Sequence, residues 1–129
     1  MSATTETGPA RPLAGRRILV VEDEALVAMM IADTLTDQGC EVIGPVATTR
    51  EALKLLDDTP LDGATLDINL THEEVLPVAE ALDARRIRFV LVTGYAQDNL
   101  LRRYRRWPMV QKPFTESSLV RGLMHALTG

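Results

Sequence analysis

Short, continuously apolar runs alternate with longer stretches of helical period along most of this chain. The runs are RILVVE, EVIGPVA, LDGATLDIN, IRFVLVT and a short WPMVQ. Strands that are apolar at nearly every position belong in a parallel sheet with both faces covered. Five such strands alternating with helices predict a doubly wound α/β fold, in which RILVVE is a central strand.

The stretches between the runs carry helix signals. Thr48 followed by Glu51 predicts a capping box that starts one helix, and Thr71 with Glu74 is a candidate for a second box. Thr115 is the expected cap of the last helix. In the first helix the apolar positions that recur at helical spacing are Leu26, Met29, Met30, Ala32 and Leu35.

Residues 1–15, MSATTETGPARPLAG, lack periodicity and predict a flexible tail, so the domain is expected to span residues 16–129. The composition is that of an ordinary globular protein, and the net charge of −4 gives no general attraction to nucleic acid or anionic membrane. One cysteine, Cys40, cannot form an internal disulfide. With no membrane-length apolar run and no signal peptide, a cytoplasmic location is predicted.

Polar residues stand where four of the predicted strands end. The first strand runs into Glu22 and Asp23, the third into Asp67, the fourth into Thr93, and the fifth into Lys112. Right-handed crossovers bring the carboxyl ends of parallel strands to one edge of the sheet. One acid after a strand is more often a turn residue or a helix cap, but this combination predicts a functional site.

The motifs VVEDE, LDIN, VTG and QKPF, in this order, resemble the receiver domain of bacterial two-component response regulators. The resemblance covers about residues 16 to 128. It implies a flavodoxin-like five-stranded parallel sheet of order 2-1-3-4-5 with helices on both faces. It also implies a non-enzymatic phosphoacceptor that takes a phosphoryl group from a histidine kinase and assists its own phosphotransfer and dephosphorylation.

By this resemblance Asp67 is the phosphoacceptor, Thr93 the switch hydroxyl and Lys112 the active-site lysine. The chemistry asks for such groups, because a carboxylate that attacks a phosphoryl group brings two anions together and needs positive charge and hydrogen-bond donors nearby. Hard oxygen ligands also suit Mg²⁺. The residues implied to hold Mg²⁺, or Mn²⁺, are Glu22, Asp23, Asp67 and, through its backbone carbonyl, Asn69.

Two segments depart from the usual receiver pattern. DINLTHEEV lacks the proline and glycine that most receivers carry after the phosphoacceptor, and Met109 stands where most have an aromatic switch residue. Tyr95, in VTGY, makes the chain similar to the often single-domain "FAT GUY" subgroup. Tyr95 is therefore a candidate switch residue, with a half-exposed loop aromatic as the alternative. Gly94 is expected to leave room beside the phosphoryl group.

The predicted function is a single-domain response regulator that signals by protein contact, phosphorelay or phosphate sink. The subgroup resemblance implies a kinase of the HWE/HisKA2 class. The alternative is a phosphate-independent adaptor on a receiver scaffold. LRRYRRW, Leu101 to Trp107, raises the further possibility of nucleic-acid contact. A solvated arginine face anchored by Tyr104 and Trp107 is the favoured interpretation, so neither nucleic acid nor membrane is an expected partner.

Overall fold

The computed structural model describes residues 12–71, 73–94 and 99–128. Its parallel sheet has the strand order β2-β1-β3-β4-β5, which confirms the predicted fold. The three interior strands, β1, β3 and β4, are buried along most or all of their length. The strands are β1 (Arg17–Val21), β2 (Glu41–Val46), β3 (Gly63–Asp67), β4 (Phe89–Thr93) and β5 (Met109–Gln111).

Helices cover both faces of the sheet. On one face α1 contacts α4, and on the other α2 contacts α3. Among the described residues, no helix combines the length and apolar character needed to cross a bilayer. The helices are α1 (Ala25–Asp37), α2 (Thr49–Asp58), α3 (Leu76–Ala84), a 3₁₀ helix (Asn99–Tyr104) and α4 (Glu116–Thr128).

Alternate residues of β1 point into two separate cores. Leu19 and Val21 pack with α2 and α3, whereas Ile18 and Val20 pack with α1 and α4. All four side chains are at most 1% exposed. This double burial explains why the strand is apolar without alternation.

The first helix turns a different face to the sheet from the one that its largest apolar residues suggest. Leu26, Met29 and Met30 are 80%, 59% and 44% exposed, while the buried side chains are Ala28, Ile31, Thr34 and Leu35. The Thr34 hydroxyl donates to the Met30 carbonyl at 2.8 Å, so its burial leaves no unpaired hydroxyl. The face of α1 that meets the sheet thus combines two large apolar residues, Ile31 and Leu35, with the smaller Ala28 and Thr34.

The prediction of a capping box at Thr71 is wrong, although that at Thr48 is confirmed. The Glu51 amide donates to Thr48 Oγ1 at 3.1 Å at the start of α2. The third helix begins only at Leu76, with Pro77 in its first turn, where the missing amide hydrogen costs nothing. Thr71 lies well before that helix and donates to Asp23 instead.

Residues just before the predicted boundary at Arg16 also pack on the domain. Leu13 is 1% exposed and packs in the core beside α1 and α4. Its carbonyl accepts hydrogen bonds from the Arg16 amide and from the Cys40 thiol. Residues 12–15 thus form a turn on the domain rather than tail, whereas residues 1–11 lie outside the described residues.

Strand β2 runs along the edge of the sheet and contains an irregularity at Gly44 and Pro45. The register with β1 shifts at this point. Gly44 has φ +96°, and a Cβ there would lie 2.9 Å from the Val46 nitrogen. Only glycine fits this bend, and the edge position tolerates the proline that follows.

The arginine-rich segment is anchored by its aromatic residues, as predicted. Tyr104 and Trp107 are buried, and Trp107 packs against Phe89 with ring centroids 5.4 Å apart. The first part of the segment, up to Tyr104, belongs to the 3₁₀ helix, and Trp107 follows three residues later. All four of its arginines are exposed, which agrees with a solvated face: Arg102, Arg103, Arg105 and Arg106.

Candidate functional site

The carboxyl edge of the sheet gathers the polar residues that end its strands. Asp67 is the last residue of β3 and Thr93 the last of β4, and both are buried. Glu22 follows β1, and its amide donates to the Val46 carbonyl, so it continues the sheet. Lys112 follows β5, where its amide donates to the Thr93 carbonyl at 2.7 Å. The parallel sheet therefore brings these four residues to one place.

Three carboxylates form the centre of this edge. Glu22, Asp23 and Asp67 each offer an oxygen, and these oxygens lie within 4.8 Å of one another. One oxygen of Asp67 accepts the Asn69 amide at 2.9 Å. The other, Oδ2, is buried and has no hydrogen-bond donor in the described part of the chain. A buried anionic oxygen without a donor is costly, so a ligand that supplies positive charge fits here.

Lys112 is the cation that the structure places against these acids. Its Nζ lies 3.3 Å from Glu22 Oε1, 3.3 Å from Glu24 Oε1 and 3.6 Å from Asp67 Oδ1. Burial alone would lower the pKa of Lys112, but the charges of Asp67 and Glu22 outweigh it and raise that pKa. Lys112 is therefore a firmly held ammonium, shared among several acids.

One ammonium does not neutralise the cluster. Burial, together with the adjacent Asp67 carboxylate, raises the pKa of Glu22 to about 7. Glu22 Oε1 is at ion-pair distance from Lys112 without forming a hydrogen bond to any described residue. Glu24, which also lies near Lys112, is the N-cap residue of α1. The raised pKa of Glu22 shows that negative charge is crowded in a buried place, as expected of a site for a cation.

Asp23 lies at the more open side of the cluster and is oriented by Thr71. The Thr71 amide donates to Asp23 Oδ2 at 2.7 Å, and its hydroxyl donates to the same oxygen at 2.5 Å. Partial burial would raise the pKa of Asp23, but these two hydrogen bonds outweigh it and lower that pKa. Asp23 is thus held ionised. Sequence patterns missed this contact because Thr71 was interpreted as a helix cap.

Asn69 and Gly94 connect the segments that follow β3 and β4. The Gly94 amide donates to Asn69 Oδ1 at 3.0 Å, a contact that the sequence did not predict. A Cβ on Gly94 would meet only that Asn69 oxygen, at 3.9 Å, so packing of the described residues does not require glycine here. The predicted role of the Asn69 carbonyl in metal binding stays a prediction. Tyr95, the candidate switch residue, lies outside the described residues.

The donor set fits a hard divalent cation. Carboxylate oxygens from three residues converge, and no thiol or imidazole is part of the group. Glu22 and Asp67 each have a buried oxygen without a hydrogen-bond partner among the described residues. Such oxygen ligands are those that Mg²⁺ and similar ions prefer. The acidic cluster of the described residues could therefore hold a metal ion.

Comparison with known families agrees with this site. The family model of the response regulator receiver domain matches residues 18–123, which include all the residues at the carboxyl edge. The chain belongs to the response regulator receiver family. The family is that of two-component systems, and its receiver domains are generally phosphoacceptors.

Individual relatives place this receiver among diverse response regulators. The transcriptional regulatory protein PdtaR of Mycobacterium tuberculosis is 31% identical over 121 residues, which cover 91% of this chain and 58% of PdtaR. The chain therefore spans little more than half the length of that relative. CheY of Thermotoga maritima is 38% identical over 56 residues, covering 43% of this chain and 47% of CheY.

Solved structures include a receiver of similar size. The solution structure of SdrG from Sphingomonas melonis Fr1 is 43% identical, with a TM-score of 0.78 over 88% of this chain and 98% of SdrG. A BeF₃-activated conformation of SdrG matches with a TM-score of 0.76. PhyR from Brucella abortus is 29% identical, with a TM-score of 0.78 over 91% of this chain and 49% of PhyR.

Proposed function

We propose that this receiver accepts a phosphoryl group on Asp67 from a phosphohistidine of a histidine kinase, in a reaction that depends on Mg²⁺ or Mn²⁺. The observation that carries the proposal concerns Asp67. Its buried Oδ2 has no hydrogen-bond donor among the described residues, and Lys112 Nζ lies 3.6 Å from its other oxygen. A nucleophile needs a free lone pair and a nearby positive charge, and Asp67 has both.

In the proposed reaction a carboxylate oxygen of Asp67 attacks the phosphorus. A new O–P bond forms while the N–P bond breaks, and its electron pair stays on the histidine nitrogen, which takes up a proton. Lys112 stabilises the charge on the transferred group, and the Thr93 hydroxyl is the proposed donor to another of its oxygens. The acyl phosphate that results is labile, so hydrolysis returns the carboxylate.

The cation would be held by the carboxylates of Glu22, Asp23 and Asp67 and by the Asn69 carbonyl. When bound it supplies positive charge to the equatorial oxygens of the phosphoryl group. Glu22 and Asp67 are the buried members of this set and would hold the cation from the protein side, whereas Asp23 lies nearer to solvent. This arrangement leaves the open side of the cluster for a phosphodonor.

Phosphorylation would change the partners of Lys112. A phosphoryl group on Asp67 adds charge and acceptor oxygens, so Lys112 would exchange Glu24 for the new anion and Thr93 would turn toward it. The segments after β4 and β5, with Gly94 and Tyr95 as candidate switch residues, would follow. We propose that the output is a protein contact, a phosphorelay step or a phosphate sink in the cytoplasm. Its kinase is proposed to be of the HWE/HisKA2 class.

The proposal is tested with a small phosphodonor, such as phosphoramidate, in the presence of Mg²⁺. Intact-protein mass spectrometry should show one added phosphoryl group that is lost on treatment with hydroxylamine, as expected for an acyl phosphate. Asp67→Asn removes the nucleophile with little change in shape and should abolish the added mass. Asp83→Asn, an exposed change on α3, is the matched control and should be labelled like wild type.

Two results would contradict the proposal. Wild-type protein that gains no phosphoryl group would favour the alternative of a phosphate-independent adaptor. Equal labelling of wild type and Asp67→Asn would move the phosphoacceptor elsewhere. Nucleic-acid binding has less support, because two arginines of the arginine-rich segment already pair with acids: Arg103 with Glu74 and Arg106 with Glu80.

A further inference from the structure

The loop between β3 and α3 reaches back across the site to Asp23. Both donors of Thr71, its amide and its hydroxyl, point to one oxygen of Asp23, which is 48 residues away in the sequence. A backbone donor and a side-chain donor from one residue fix both the position and the rotation of a carboxylate. A threonine that only caps a helix or faces solvent would not direct both of its donors to one distant carboxylate.

Both donors act on Oδ2, and an Asp23 oxygen lies within 4.8 Å of oxygens of Glu22 and Asp67. Asp23 is less buried than Glu22 or Asp67, and it sits on the connection between β1 and α1. Packing therefore restrains its side chain less than theirs. Metal-binding carboxylates are commonly oriented by such outer hydrogen bonds, and loss of one typically costs about 10- to 100-fold in metal affinity.

Thr71 can orient Asp23 only if its own loop is held in place, and several contacts do this. The loop is flanked by the buried side chains of Leu70 and Val75. At the start of α2, the Thr49 amide donates to Glu73 Oε1 at 2.7 Å and the Thr49 hydroxyl to the Glu74 carbonyl at 2.9 Å. The loop is thus fixed on both sides, and Thr71 is a donor at a fixed position.

We infer that Thr71 is a positioning residue for the cation site: it fixes the Asp23 carboxylate so that its second oxygen faces the ion. Thr71 does not itself contact the ion. The inference rests on the proposed function, since it requires that the acidic cluster bind a divalent cation. It explains why a threonine with two donors stands in this loop, where a proline could supply neither.

The test is the dissociation constant for Mg²⁺, measured by isothermal titration calorimetry on the full chain without a phosphodonor. Thr71→Val keeps the shape and the amide but loses the hydroxyl, and we expect its affinity to fall by about tenfold. Thr71→Ser restores the hydroxyl and should return the affinity to within about twofold of wild type. Thr36→Val makes the same chemical change at an exposed position of α1, away from the loop, and should leave the affinity nearly unchanged.

The outcomes separate the inference from the proposed function. If wild type does not bind Mg²⁺, the cation site of the proposed function fails and the inference fails with it. If wild type binds and Thr71→Val binds equally well or more tightly, only the inference is overturned. The same holds if Thr36→Val weakens binding as much as Thr71→Val, because the loss would then not come from the bond to Asp23.

Discussion

The two ends of the central strand β1 both carry charged residues, but those residues differ in burial and in the sign of their neighbours. At the amino end the Arg17 amide donates to Asp62 at 2.8 Å, and its guanidinium lies 3.5 Å from Glu41, with both side chains at least a third exposed. At the carboxyl end Glu22 is fully buried and lies beside Asp67, another buried acid. Opposite charges thus pair near solvent at the amino end, whereas two acids lie side by side in a buried place at the carboxyl end.

This difference separates structural charge from functional charge. Exposed pairs such as Arg17 with Glu41 contribute little to stability and could be exchanged for other polar residues. Buried acids that outnumber their cations oppose folding, so they remain only where a ligand offsets the cost. At the carboxyl end of β1 the buried acids oppose folding, and the proposed cation would offset that cost.

The largest expected effect comes from removing the cation at the carboxyl end. Lys112→Ala should slow the labelling of Asp67 by a small phosphodonor by about 10²- to 10³-fold, because an electrostatic stabiliser of the transferred group is lost. Lys54→Ala makes the same change at an exposed position of α2 and should label like wild type. Quenched time courses with intact-protein mass spectrometry measure both rates. Equal labelling rates for the two variants would contradict the proposed role of Lys112 in stabilising the transferred group.

The next largest effect is a pH dependence of stability that we expect from the carboxyl end of β1 and not from its amino end. The pKa of Glu22 is about 7 in the folded chain against an ordinary 4.5, so between these values the folded chain keeps a proton that the unfolded chain has lost. Without metal, the free energy of unfolding should therefore fall as pH rises from about 4.5 to about 7. At about 1.4 kcal/mol per pKa unit, the fall attributable to Glu22 is on the order of 3 kcal/mol.

Glu22→Gln should remove this dependence. In chelator-treated samples the variant should unfold like wild type near pH 4.5 and become more stable than wild type above pH 7, as measured by urea unfolding. Glu41→Gln at the amino end is the matched control, and its difference from wild type should stay below about 1 kcal/mol across the same range. A difference between Glu22→Gln and wild type that does not change with pH would show that burial of Glu22 has no such effect.

Much of the fold was predictable because it depends on local patterns. Unbroken apolar runs marked the strands, Thr48 with Glu51 marked the start of a helix, and the resemblance supplied the strand order. The predictions that failed depend on tertiary packing, which local patterns do not encode. Leu13 looked like tail because its burial depends on α1 and α4, and the exposed Met29 looked like core because periodicity does not say which stripe of a helix faces the sheet.

The same limit applies to the site. The sequence predicted that Glu22, Asp67 and Lys112 would meet, because strand ends in a parallel sheet converge whatever the side chains do. It did not predict the bond from Thr71 to Asp23, since contacts between distant loops follow no short-range rule. Nor could it give the excess of buried negative charge, which depends on how deeply each carboxylate lies.

The most direct test of the account is whether Mg²⁺ stabilises the folded chain through the acids at the carboxyl end of β1. Thermal unfolding at neutral pH should show a higher Tm with Mg²⁺ than with chelator. The gain should reach about 2.7 kcal/mol at about a hundred times the Kd. Asp23→Asn should lose most of this gain, while Glu41→Gln should keep it. No rise in Tm for wild type, or an equal rise for Asp23→Asn, would contradict the claim that these acids form a cation site.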